Sequence, residues 1–197
     1  MRLRFMDNPI SKFQLWWQAA VADSPLQQKS AVCVSTIDES GFPTGRFVDL
    51  KAVSDKGFVF CSYLESAKGK HIECNPKSAM TIWWDHVGYQ VRVVGTAEII
   101  SADEAEHFWQ TRSRSAQLTT TAFDQSKPLD SEDRLTTQLQ ETSDKLAGQP
   151  VPRPLNWGGY RINPISIEFL TFRESRLHLR ELFERNGTGW EKQLLQP

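Results

Sequence analysis

Cysteine is scarce in this chain and follows no pattern. The three residues, Cys33, Cys61 and Cys74, are an odd number with no C-x-x-C spacing, which argues against a disulfide framework or a cysteine-built zinc site. Long apolar runs are also missing, and no stretch approaches the roughly 18 residues of a membrane span. The opening Met1 to Met6 lacks the apolar centre of a signal peptide. Neither sign of charge dominates: 23 Lys and Arg face 24 Asp and Glu, a formal charge of −1. Bulk binding of nucleic acid is therefore not expected, although a local basic pocket remains open. The four histidines, His71, His86, His107 and His178, form no H-E-x-x-H pattern, so no metal site is expected. There is no G-x-S-x-G elbow, no phosphate-binding P-loop and no G-x-G-x-x-G after a strand. The expectation is a cytoplasmic chain with no nucleic-acid, membrane or metal partner.

The 197 residues suit one domain, with enough apolar content (39 %) for a core. Seven Trp and eleven Phe suit a large core, a flat aromatic ligand or a subunit interface. Cys33 and Cys61 lie in apolar strand patterns and read as buried thiols. Asn8-Pro9 is a helix start, and Ile10, Phe13, Trp16, Trp17 and Ala20 recur at helical spacing, giving an N-terminal helix over 8–22. Strands are expected at Ala31 to Ile37, Lys77 to Asp85 and Tyr89 to Ile100. Ser101 to Glu104 reads as a capping box that opens a helix to about Gln110. Thr111 to Phe123 reads as helix or loop, and Asp130 to Ala147 as a mostly polar helix. These make a helical insertion over 101–147. After the proline-rich linker Gly148 to Pro154 come four strands within 160–197: Tyr160 to Ile162, Ser166 to Thr171, Leu177 to Phe183 and Trp190 to Leu194. Seven to nine short strands with helices between them point to an antiparallel barrel of mainly β or α+β class.

The chain turns on Gly45 to Lys51 and the segment after it. Two strands and the helix start at Ser66 to Lys70 bring Arg46, Lys51, Ser62, Ser66, Lys68 and Lys70 into one neighbourhood. Cations, hydroxyls and free N–H groups at a helix start suit an anion such as a phosphate; the same residues also suit a solvated basic edge strand. A second run, Arg176-Leu177-His178-Leu179-Arg180, puts three potential cations on one face if it is a strand. That face needs either an anionic ligand or the carboxylates of Glu174, Glu181 or Glu184.

In order along the chain, these pieces resemble the pyridoxamine 5′-phosphate oxidase family. The resemblance rests on Arg46 to Lys51, Ser66-Ala67-Lys68, Asn75-Pro76, Gln90-Val91, Arg112, Gln125-Ser126, Pro152-Arg153-Pro154, Glu168-Phe169, Arg176 to Arg180 and the final Leu195-Gln196-Pro197. It implies a homodimeric FMN-binding split β-barrel with added helices over 1–197, with FMN at the subunit interface. FMN phosphate contacts would fall to Arg46, Ser62 and Lys68, and flavin contacts to Lys51, Gln90, Gln125, Ser126 and Arg180; Val48 is placed in the same cofactor site. Lys51 and Arg112 would hold the substrate phosphate, with Arg176 and His178 over the reacting end as catalytic groups. The implied reaction takes hydride from a substrate C–N or C–O bond to flavin N5, with oxygen as acceptor. The alternatives are a same-fold oxidase of another cyclic or aromatic substrate, as in phenazine biosynthesis, or a non-catalytic flavin- or haem-binding module. Five positions depart from the family pattern: Ala67 for an arginine, Phe108 for a tyrosine, Ala116 for a serine, Leu170 for a tryptophan, and Asp49 for an apolar residue. The basic N-terminal lid is expected to be shortened to Met1 to Met6.

Overall fold

A computed structural model describes residues 8–22 and 24–197. The expected short lid at Met1 to Met6 lies outside the described residues. Eight strands form one antiparallel sheet: β1 (Ala31–Ile37), β2 (Pro43–Ser54), β3 (Gly57–Tyr63), β4 (Lys77–Trp84), β5 (Tyr89–Ile99), β6 (Trp157–Thr171), β7 (Leu179–Asn186) and β8 (Gly189–Leu195). They run in the order β3-β2-β1-β4-β5-β6-β7-β8, and an additional β3–β6 pairing closes the first six into a barrel. Closure removes the open edge that β3 would otherwise present. The β7–β8 hairpin extends from β6 outside the ring.

Alternation sets the faces. In β1, Val32, Val34 and Thr36 point inward and their neighbours are half-exposed. Helix α1 (Pro9–Ala22) covers one end of the barrel. Asn8 starts it as the sequence suggests, its Oδ1 accepting from the N–H groups of Ile10 (2.8 Å) and Ser11 (3.2 Å). Phe13 of α1 is fully buried and meets Phe58 edge-on at 4.8 Å between ring centres. A packed aromatic of this kind contributes about 1.5–3 kcal/mol, so α1 is held by its apolar stripe and not by helix propensity.

Two expectations need correction. The strands expected at Tyr160 to Ile162 and Ser166 to Thr171 are one strand, β6. Pro164 sits at a register shift opposite Gly95, where a bulge tolerates the missing N–H. Gly95 is required at that point, since a Cβ there would lie 2.1 Å from the Asn163 carbonyl oxygen. The run Arg176 to Arg180 is not a strand throughout. β7 begins at Leu179, and Arg176 has a φ of 60°, so Arg176, His178 and Arg180 do not share a strand face. Glu174 and Glu184 are not the carboxylates that balance this run. Arg180 pairs with Glu168 (2.8 Å), while Glu181 pairs with Lys12 and Lys192.

The insertion folds as α3 (Ala102–Gln110), α4 (Arg114–Ala122) and α5 (Asp133–Lys145), following α2 (Ala67–Cys74). Ser101 caps α3 as the capping box implies, accepting from Glu104 N–H at 3.2 Å. A second apolar cluster of Tyr63, Trp109, Leu118, Val151 and Trp157 joins the insertion to the barrel. The indole of Trp109 donates to the Val151 carbonyl at 2.9 Å, which ties α3 to the proline-rich segment. Among the described residues, no helix is long and apolar enough to cross a membrane.

Candidate functional site

A cleft of about 690 Å³ opens between β2, β3, the start of α2 and the helical insertion. Arg46, Val48, Lys51, Ser62, Lys68, Arg112, Gln125 and Ser126 all line it, eight of the residues expected from the sequence. Tyr63, Thr119, Thr120, Phe123, Leu135 and Trp157 complete much of the wall. The sequence did not single these out. Thr119 and Thr120 fall in a stretch without clear periodicity, and Tyr63 and Trp157 lie just outside the strands expected from the sequence.

Lys68 is the centre of the polar wall. It is only 8 % exposed, and its ammonium donates to Gln125 Oε1 (2.7 Å), Ser62 Oγ (2.9 Å) and Ser66 Oγ (3.3 Å). All three acceptors are neutral. Burial, and then the neighbouring Arg46, bring its pKa down to about 8. Arg46 is half-buried and donates to Thr36 Oγ1 (2.6 Å), Thr44 Oγ1 (2.7 Å) and the Val34 carbonyl (3.3 Å). Burial lowers its pKa too. Among the described residues, no carboxylate pairs with either cation. Two desolvated positive charges facing one cleft without a counterion cost stability unless an anion joins them. A phosphate dianion supplies the two charges and the acceptor oxygens that Arg46, Lys68 and Ser62 can reach.

The helix start that carries Lys68 is tightly placed. Ser66 Oγ caps α2 by accepting from Gly69 N–H (3.4 Å), and donates to the Tyr63 carbonyl (2.7 Å). A Cβ on Gly69 would lie 1.9 Å from the Leu64 carbonyl oxygen and 2.9 Å from the Tyr160 hydroxyl. Gly69→Ala is therefore expected to push α2 outward and cost about 1–3 kcal/mol, read as a lower urea midpoint at unchanged slope. An unaltered midpoint would show that α2 yields freely.

The other end of the cleft is different. Lys51 pairs with Asp49 at 3.3 Å; Asp49 is exposed and Lys51 half-buried. Asp49, the departure from an apolar residue, thus neutralises one cation of this end. Arg112 lies over the rings of Trp157 (5.1 Å) and Trp109 (5.7 Å) and donates to Thr120 Oγ1 (2.9 Å) and the Ala116 carbonyl (3.2 Å). Burial lowers its pKa as well. Cys61 shares the wall, half-buried, its thiol pushed up to about 11 by burial, which leaves it unreactive at neutral pH. Cys33 is likewise half-buried, not enclosed. Phe108 and Ala116 are not in the cleft lining. Phe108 packs against the two satellite apolar clusters, and Ala116 presents only its carbonyl, to Arg112. Lys70, expected with the cations, instead lines a neighbouring depression with His71 and Lys127.

Four expected site residues, Gln90, Arg176, His178 and Arg180, do not line this cleft. Gln90, Leu170 and Arg180 stand opposite one another across β5, β6 and β7. Trp83, half-exposed, continues the row on β4. His178 Nδ1 accepts from the Arg173 N–H (3.1 Å), and its ring lies 4.9 Å from that of Phe172. Arg180 and Arg92 both grip Glu168, which is 4 % exposed. One protomer thus carries two separate sets of polar groups. Among the described residues, the non-glycine positions with positive φ are Ser126 (73°) and Arg176 (60°), one in each set. Such conformations cost about 1–3 kcal/mol and concentrate at functional sites.

Comparison with known proteins agrees with this fold. The family model described as pyridoxamine 5′-phosphate oxidase matches residues 19–146, and the pyridoxine 5′-phosphate oxidase C-terminal dimerisation region matches residues 157–197. The second match fits a homodimer. A pyridoxine/pyridoxamine 5′-phosphate oxidase of Rubrobacter xylanophilus is 40 % identical over 190 residues, covering 96 % of this chain and 87 % of that protein. The protein of the same name from Sphingopyxis alaskensis is 38 % identical over 197 residues, covering 100 % and 91 %. Among solved structures, PhzG from Burkholderia lata in complex with tetrahydrophenazine-1-carboxylic acid has a TM-score of 0.89 at 27 % identity, covering 97 % of this chain and 93 % of that one. A pyridoxamine 5′-phosphate oxidase-related, FMN binding protein from Nostoc punctiforme shares the fold, with a TM-score of 0.76 at 17 % identity over 94 % and 96 %. A closed six-strand barrel, matched along nearly its whole length, leads to one assignment: the chain belongs to the pyridoxamine 5′-phosphate oxidase family of flavin-dependent oxidoreductases.

Proposed function

We propose that the chain is an FMN-dependent oxidase that dehydrogenates a C–N or C–O bond of a ring substrate, pyridoxamine or pyridoxine 5′-phosphate being the first to test. The single observation that carries this is the pair of half-buried Arg46 and buried Lys68, two cations on one cleft with no carboxylate paired to either among the described residues. FMN fits that pair: its phosphate would rest on Arg46, Lys68 and Ser62, with Val48, Gln125 and Ser126 beside the ribityl chain. When bound, the flavin supplies a hydride acceptor at N5 that oxygen can reoxidise.

This chain's residues bind and orient. Lys51 and Arg112 hold the anionic end of the substrate. Gln90 and Arg180 of a second copy of the chain would hold the flavin, and Arg176 and His178 of that copy would orient the substrate carbon toward it. A cationic group near the ring favours the charge that develops on hydride transfer. No residue need act as a nucleophile.

A second reading keeps the flavin and changes the substrate. The likeness to PhzG with its bound tetrahydrophenazine-1-carboxylic acid supports it, as does Asp49 beside Lys51 at the substrate end. The two readings separate by assay. On the first, the FMN-loaded protein turns over pyridoxine 5′-phosphate with stoichiometric peroxide. Turnover no faster than free FMN would discard the first reading. Turnover of a cyclic carboxylic acid would then carry the second.

A further inference from the structure

The hydroxyls that hold Arg46 have a third partner. Thr36 and Thr44 face each other across β1 and β2, and Arg46 lies two residues beyond Thr44 on the same strand face. Each threonine oxygen accepts from the guanidinium, at 2.6 and 2.7 Å. Each then still has its own hydroxyl proton to place. Thr36 is 1 % exposed, so water cannot take its proton. His71 of α2 puts Nδ1 3.0 Å from Thr36 Oγ1 and 3.2 Å from Thr44 Oγ1. The alternatives are poorer: the two hydroxyls are 3.4 Å apart, and Thr44 lies 3.4 Å from the Thr36 carbonyl. Because an arginine only donates, the consistent arrangement has Nδ1 bare and accepting from Thr36, with the imidazole proton on Nε2.

His71 stands three residues after Lys68 on α2. One helix therefore presents Lys68 to the cleft and His71 to the threonines that aim Arg46. We propose that His71 is a positioning residue for the cofactor phosphate: through Thr36 and Thr44 it fixes the direction of Arg46 and its spacing from Lys68. With Ala67 in place of the family's arginine, the phosphate has fewer cations to rely on, and the aim of those that remain matters more. The inference rests on the reading of Arg46 and Lys68 as a phosphate cradle.

The test is equilibrium binding, followed by flavin fluorescence, of FMN and of riboflavin, which lacks the phosphate. His71→Phe keeps a ring but removes the acceptor. It is expected to weaken FMN binding about 5- to 10-fold, the range for one lost hydrogen bond, and to leave riboflavin binding unchanged. His71→Asn, whose Oδ1 can stand where Nδ1 does, should restore FMN affinity to within about twofold. In an Arg46→Ala background, His71→Phe should have little further effect, because the two act as one unit. Unchanged FMN affinity in His71→Phe would overturn the proposal. So would equal losses for FMN and riboflavin in both variants, which would mean that α2 itself is damaged. A native protein that holds riboflavin as tightly as FMN would instead overturn the phosphate reading, and this inference with it.

Discussion

Replacing Lys68 with Met is expected to have two opposite effects. The flavin-free protein should become more stable, and FMN binding should weaken about 10- to 100-fold, the range for losing a hydrogen bond to a charged group. The first effect follows from the folded-state pKa of about 8, below the ordinary 10.5. A lowered lysine pKa means that the folded chain holds its charge at a cost. Below about pH 8 that cost is present in full; between about 8 and 10.5 the unfolded chain binds more protons, so stability rises with pH. Methionine removes the cost at every pH, and a gain of about 1 kcal/mol would raise the melting midpoint by about 2–4 °C. FMN acts in the reverse direction. Its phosphate is a dianion above pH ~6 and favours the charged amine, so binding above about pH 8 takes up a proton at Lys68. FMN affinity should fall as pH rises from 8, by at most about tenfold per unit, and this slope should vanish in Lys68→Met. Calorimetric titration in buffers of different ionisation enthalpy measures the proton uptake directly. A variant that is less stable without flavin and binds FMN normally would mean that the lysine is simply part of the scaffold.

Mixing two inactive variants is expected to restore activity. Lys68→Met damages the cleft set; Arg176→Ala with His178→Ala damages the set on the β6–β7 side. If a complete site takes one set from each chain of the homodimer, each variant alone, assayed at an FMN concentration that only just loads the native protein, should fall to about a tenth of native turnover or less. Dissociated and reassociated together, half of the dimers carry one chain of each kind, and each such dimer has one intact site. Recovery should then approach about a quarter of the native rate, the proportion set by two-fold symmetry. A site contained in one protomer gives no recovery. The prediction follows from the separation of Gln90, Arg176, His178 and Arg180 from the cleft that holds Arg46, Lys68 and Gln125.

The parts of the fold that were readable carry local rules. Asn8-Pro9 and the apolar spacing from Ile10 to Ala20 are sufficient for α1, and Ser101 with Glu104 for the start of α3. The neighbourhood of Arg46, Ser62 and Lys68 was readable because a hairpin and a helix cap are short-range structures. What failed depended on distant partners. β6 looks broken at Asn163-Pro164, and only the bulge opposite Gly95, about seventy residues earlier in the chain, makes it continuous. Arg176 and His178 alternate like strand residues, but Arg176 lies in a left-handed turn that alternation cannot reveal. His71 is one polar residue on a short helix, and its bond to Thr36 and Thr44 exists only once α2 lies against β1. Thr119 and Thr120 reach the cleft because α4 packs beside α5, which no pattern within Thr111 to Phe123 announces.

The pairing of β3 with β6 bears on the order of events during synthesis. The first family match ends at residue 146, and β6 begins at Trp157. Phe58 waits for Ile162, and Tyr63 for Trp157, across about a hundred intervening residues. Contacts of such high sequence separation form late and slowly. A nascent chain that has emerged only as far as α5 presents β3 with no partner on one side, a sticky edge open to other chains. The two matched regions are therefore distinct as stretches of sequence but not as folding units, and a fragment ending at the first of them is expected to aggregate before it can take up flavin.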